Sequence, residues 1–131
     1  MAFNCVIVTP EQQILDERVS QVILPAHDGE MGVLTGRAPI LVKLGIGRLH
    51  VDPAGGGRSS EFYVEGGVAQ MKDDKLTVLT DHAVPVAELS AASARNELEH
   101  ASALASDTPA AAAERARAVE RARVKQRLAT R

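Results

Sequence analysis

Apolar residues come in short bursts over the first two-thirds of the chain and at helical steps after that. Phe3-Asn4-Cys5-Val6-Ile7-Val8-Thr9 is a β-rich run ending at Pro10, and Ile14-Leu15 is a short piece beyond it. Arg18 to Leu24, Glu30 to Leu34, Ile40 to Lys43 and the period-2 segment Ile46 to Val51 follow. Glu61 to Glu65, Val68 to Lys72, Leu76 to Thr80 and Ala83 to Ala87 bring the total to about ten strands. Short strands at close spacing, punctuated by turn residues, predict an all-β sandwich or barrel.

The punctuation is specific. Pro25 is expected to stop one strand, and His27-Asp28-Gly29 to turn the chain into the next. Asp-Gly between two apolar runs is a hairpin signal, because glycine supplies a positive φ cheaply. Asp73-Asp74 reads as another hairpin turn, Pro53 to Ser60 as a flexible loop, and Gly66-Gly67 as a turn or bulge. The stretch Val22 to Pro39, VILPAHDGEMGVLTGRAP, presents a loop and carries no obvious nucleophile.

The period changes after Pro85. From Ser90 onward the chain is rich in Ala, Glu, Arg and Leu and contains no glycine. Ala91, Ala94, Leu98, Ala101 and Ala105 recur at steps of three and four, with Leu104 widening the stripe. That spacing predicts an amphipathic helix, capped by Ser90 and weakly apolar because alanine dominates. Ser106-Asp107-Thr108-Pro109 is a break. Thr108 is placed to cap a second helix, with Pro109 at its first position, running to about Leu128. The short link predicts an antiparallel hairpin. The domains expected are a β sandwich over 1–87 and a helical hairpin over 88–131. Alanine methyls contribute less on burial than the roughly 1.5–3 kcal/mol of a leucine. The hairpin is therefore expected to detach at modest cost.

Composition narrows the function. Apolar residues make up 45% of the chain and aromatics 2%, so the core rests on aliphatic side chains. No apolar run approaches the length of a membrane span, and the N-terminus lacks a secretory pattern. The single Cys5 lies in an apolar run and reads as a buried, inert thiol. The net charge of −2 conceals an acidic body, −7 over residues 1–109, and a basic tail, +5 over residues 110–131. Such a tail fits an acidic partner surface better than nucleic acid, since the body is acidic and nearly free of aromatics.

Candidate chemistry is sparse. His27, His50, His82 and His100 show no ligand spacing, and no cysteine cluster supports a metal. His27-Asp28 and Asp81-His82 are acid–base pairs in principle, but both fall in predicted turns. Gly55-Gly56-Gly57-Arg58 lacks the Lys-Ser/Thr of a phosphate loop. No cofactor and no metal are expected. Rival readings are a free-standing β-sandwich binding module and a small metal-dependent hydrolase.

Several blocks resemble the ε subunit of the F-type ATP synthase. They are VTPEQQIL at Val8 to Leu15, the Gly29-Glu30-Met31-Gly32 element with its proline-containing turn, Leu44-Gly45-Ile46-Gly47, and FYVEGGVAQMKDDKLTVLTDHAV from Phe62 to Val84. The resemblance implies a ten-stranded β sandwich with a helical hairpin. It also implies a non-catalytic rotor subunit of the central stalk, peripheral to the cytoplasmic face of the cell membrane. Its implied partners are the γ subunit, the membrane c-ring and the α/β catalytic hexamer. It assigns Asp28, Gly29 and Glu30 to the c-ring, and Arg37 to γ. In many members the hairpin extends among the catalytic subunits and inhibits ATP hydrolysis. That would bring Arg115, Arg117, Arg121, Arg123, Lys125 and Arg127 to an acidic region of the β subunit.

Two positions depart from the family pattern. Arg37 stands where histidine is common, which predicts a contact independent of pH. Leu89-Ser90-Ala91-Ala92-Ser93-Ala94 replaces the aspartate and arginine of an ATP-binding motif with serines, which predicts weak or no ATP binding.

Overall fold

The computed structural model describes residues 2–36 and 38–130. The chain divides into two compact units, residues 1–85 and 86–131.

The first unit holds nine strands among the described residues: β1 (Phe3–Val8), β2 (Gln13–Ala26), β3 (Gly29–Leu34), β4 (Ile40–Lys43), β5 (Ile46–Pro53), β6 (Ser60–Glu65), β7 (Val68–Lys72), β8 (Lys75–Leu79) and β9 (Ala83–Pro85). Their order is β4-β7-β8-β1-β2-β5-β6-β9, with β3 also paired to β2. Only the β1–β8 pair among these is parallel.

The 14-residue β2 organises the sandwich. Its first half, to Val19, pairs with β1, and its second half pairs with β3 and β5. The register shifts between Val19 and Gln21, leaving Ser20 as an extra residue where the partners change. A bulge of this kind bends a strand and lets it pass from one layer to the other. Within the expected count of about ten, two pieces merge. Ile14-Leu15 and Arg18–Leu24 are one strand, because the polar Asp16 and Glu17 keep their register with Val6 and Cys5. Nor does Pro25 end it. Pro25 pairs with Glu30, and its carbonyl accepts from the Gly45 N–H at 2.7 Å, so the residue stays tied into the sheet through the acceptor it keeps.

The two layers share one core. Phe3, Cys5 and Ile7 of β1 meet Val22 and Leu24 of β2, Leu49 and Val51 of β5, Phe62 and Val64 of β6, Met71 of β7, and Leu76 and Val78 of β8. Period-2 alternation places each of these inward.

The second unit begins with a 3-10 turn, Val86–Glu88, followed by α1 (Ala91–Ser102) and α2 (Pro109–Ala129). The Ser90 hydroxyl accepts from the Ser93 N–H at 3.2 Å, and Thr108 Oγ1 from the Ala111 N–H at 3.0 Å. Each satisfies a donor left open at a helix start. Lys125 Nζ lies 3.2 Å from Glu97, and Arg115 donates to the Ser102 carbonyl at 3.2 Å, which fixes the pair as antiparallel. The expected stripe overran its helix. Leu104 and Ala105 lie past the end of α1, and Leu104 is exposed. The last strand is likewise shorter than expected, ending at Pro85. Among the described residues no helix is long and apolar enough to cross a membrane.

Candidate interaction surfaces

The β2–β3 hairpin turns on two residues, His27 and Asp28, since Ala26 pairs directly with Gly29. Gly29 carries the positive φ, at 137°. The turn is braced from below by Leu44-Gly45-Ile46-Gly47. The His27 N–H donates to the Lys43 carbonyl at 3.0 Å, and Gly45 N–H to that of Pro25. A Cβ at Gly45 would lie 3.3 Å from His27 Cα, and one at Gly47 would lie 2.9 Å from Pro25 Cβ. These two glycines are therefore what the close approach requires. Outward, the hairpin is open. A Cβ at Gly29 would meet nothing within 4 Å, and one at Gly32 only Gln21 Nε2 at 3.8 Å.

Glu30 leaves this hairpin and joins a row of charges. Arg48 bridges Glu30 at 3.3 Å and Glu61 at 2.8 Å. His50 has Nδ1 3.2 Å from Glu61 and Nε2 3.0 Å from Asp52, and Asp52 also accepts from the Ser59 hydroxyl. That hydroxyl, and then His50, hold the Asp52 carboxyl below its ordinary range. Sequence reasoning missed this row. Its signal is the alternation Arg48, His50, Asp52 on one side of β5, but the pairing of His50 with Glu61 depends on a register that sequence did not supply.

The row is not a catalytic triad. Ser59 faces the carboxylate rather than the imidazole, so His50 cannot take its proton. No group of three or more His, Cys, Asp or Glu among the described residues is placed to hold a metal. His27-Asp28 stays in its turn, as expected, and Asp81-His82 lies in the link before β9.

The basic residues of α2 divide into two sets. Arg115 caps the carbonyl end of α1 through Ser102. Arg117 and Arg121 flank Glu114 at 2.7 and 3.6 Å, and the Arg117 hydrogen bond is the main cause of that carboxyl's lowered pKa. Lys125 holds Glu97. Arg123 and Arg127 are exposed, and neither has an ion pair among the described residues. Arg37 lies outside the described residues.

Comparison with known proteins agrees with this geometry. The family profile described as the ATP synthase Delta/Epsilon chain, beta-sandwich domain, matches residues 2–86. The chain is 42% identical over 123 residues to the ATP synthase epsilon chain of Rhodopirellula baltica, covering 94% of each. It is 42% identical over 97 residues to that of Granulibacter bethesdensis, covering 74% of this chain and 71% of the relative. A chain in the cryo-EM structure of the Euglena gracilis mitochondrial ATP synthase, OSCP/F1/c-ring in rotational state 1, superposes with a TM-score of 0.83 at 27% identity. The match covers 93% of this chain and 78% of that one. Sandwich, hairpin and sequence coincide over nearly the full length, and the chain belongs to the ATP synthase epsilon-chain family.

Proposed function

We propose that this protein is a rotor component of the central stalk, coupling rotation of a proton-driven c-ring to the α/β catalytic hexamer. As an epsilon chain it is a non-catalytic subunit of the ATP synthase. It would sit peripherally, at the cytoplasmic face of the cell membrane, held there by its partners.

The observation that carries the c-ring assignment is the braced but outwardly open hairpin at Asp28, Gly29 and Glu30. Two glycines below the turn serve this chain's own packing, whereas Gly29 leaves space on the outer side that the chain does not use. A glycine with no internal neighbour on an exposed strand suits close approach by another backbone. Cysteine-directed crosslinking from position 28 in the assembled complex tests this. A c-subunit adduct is expected, and its absence from a fully assembled enzyme rejects the contact. Arg37 is assigned to the γ subunit.

For the hairpin, the reading is inhibition of ATP hydrolysis in an extended state, with the basic face of α2 meeting the β subunit. Arg123 and Arg127 are available for that contact directly. Arg115, Arg117, Arg121 and Lys125 must first release their present partners. Crosslinking the hairpin to β and γ with and without ATP tests the switch.

A further inference from the structure

We propose that Asp74 is a positioning residue: its carboxylate latches the Thr35–Gly36 turn and so strengthens binding of the γ subunit, whose contact is assigned to the next residue in sequence, Arg37. The second half of this statement rests on the proposed function above. The Gly36 N–H donates to Asp74 Oδ1 at 3.1 Å, across 38 residues of sequence. Thr35 Oγ1 lies 3.5 Å from the same oxygen and 3.5 Å from the Ala2 carbonyl. The Asp74 backbone carbonyl accepts from the Asn4 N–H at 3.1 Å, and Arg18 ties Asn4 Oδ1 and the Ala2 carbonyl at 3.2 and 3.0 Å. One aspartate thus fastens the start of β1 with its backbone and the turn after β3 with its side chain.

The identity of the residue is informative because this turn also accepts glycine or asparagine, which are at least as easy for its backbone. Asp73 and Asp74 have φ of 52° and 56°, and they form the two-residue turn between β7 and β8. Asn-Gly is the favoured pair for such a turn. Glycine at 74 would relieve the backbone, and what it would lose is the carboxylate acceptor. Hydrogen bonds to an ionised acceptor are stronger than neutral ones. A side chain kept in a left-handed position while it caps an exposed turn elsewhere fits a positioning role.

The test is the pair Asp74→Gly and Asp74→Asn in the full chain. Asp74→Gly suits the backbone and removes the acceptor. It is expected to speed amide exchange at Gly36 about ten-fold and to weaken γ binding about three- to ten-fold, without lowering the thermal midpoint. Asp74→Asn keeps Oδ1 and tolerates positive φ, so it should restore most of both. Unchanged Gly36 exchange in Asp74→Gly overturns the latch. Faster exchange with unchanged γ affinity overturns the positioning role. Arg37→Ala then separates the causes: if it also leaves the affinity unchanged, the assignment of Arg37 to γ has failed, and if it weakens binding, only the coupling from Asp74 has.

Discussion

Cys5 is fully enclosed between the layers, and burial pushes its thiol up from 9.0 to about 12, with Glu17 and Asp16 on the facing strand adding to the effect. Between those values the unfolded chain loses its thiol proton and the folded chain keeps it. The thiol's contribution to stability is therefore fully present below pH 9 and is lost as pH rises toward 12, by up to ~4 kcal/mol. Urea midpoints measured from pH 8 to 11 should fall more steeply for this chain than for Cys5→Val, and equal slopes would refute the account. The same enclosure predicts that the native thiol resists alkylation at pH 8. Gly67 is constrained in a different way. It has φ of 103°, and a Cβ there would run into the Leu79 carbonyl oxygen and lie 2.8 Å from Thr80 Cα. Both contacts are backbone, which cannot swing aside. Gly67→Ala should cost at least about 2 kcal/mol and lower the Tm by about 10 °C in a thermal melt. Gly29→Ala, with the same sign of φ but open space around it, should cost less.

At the level of elements, local chemistry was legible and long-range pairing was not. Ser90, Thr108 and Pro109 announced both helix starts, because caps act within one turn of chain. Asp73-Asp74 announced its hairpin for the same reason. What failed depended on distant partners. Asp16 and Glu17 looked like a gap between strands until β1 supplied their register, and Pro25 looked like a stop until Gly45 used its carbonyl. The charge row from Glu30 to Ser59 was invisible because it spans three strands. The Ser90 cap also bears on nucleotide binding. The resemblance aligns Ser90 with the aspartate of an ATP motif found in some members, and aspartate caps a helix equally well, so Ser90→Asp should leave helix stability within about 0.5 kcal/mol. Ser90→Ala should cost about 1 kcal/mol in the melt of the helical signal at 222 nm. Equilibrium titration of the unmodified chain with ATP should show weak or no binding, and micromolar affinity would refute that reading. The double variant Ser90→Asp/Ser93→Arg, which returns the carboxylate and the guanidinium together, should bind ATP more tightly than the unmodified chain.

For the whole molecule, the two compact units assign the proposed tasks to different parts of the chain. Asp28, Gly29 and Glu30 belong to the β unit, and all six basic residues assigned to the β subunit belong to the helical one. Among the described residues, 88–131 contribute no strand and no member of the sandwich core. The truncated chain should therefore still assemble into the rotor and support proton-driven ATP synthesis, while ATP hydrolysis by the purified complex should rise. A narrower change separates charge from bulk. Arg123→Ala/Arg127→Ala deletes the two cations that have no ion pair among the described residues, so the folded hairpin should keep its stability within about 1 kcal/mol. If the extended hairpin inhibits through charge, this variant should also raise hydrolysis, and the increase should shrink at high salt as the remaining attraction is screened. Hydrolysis that rises on truncation but not in the double variant would assign inhibition to the bulk of the helices. Hydrolysis that rises in neither would remove the inhibitory role and leave the chain a coupling element alone.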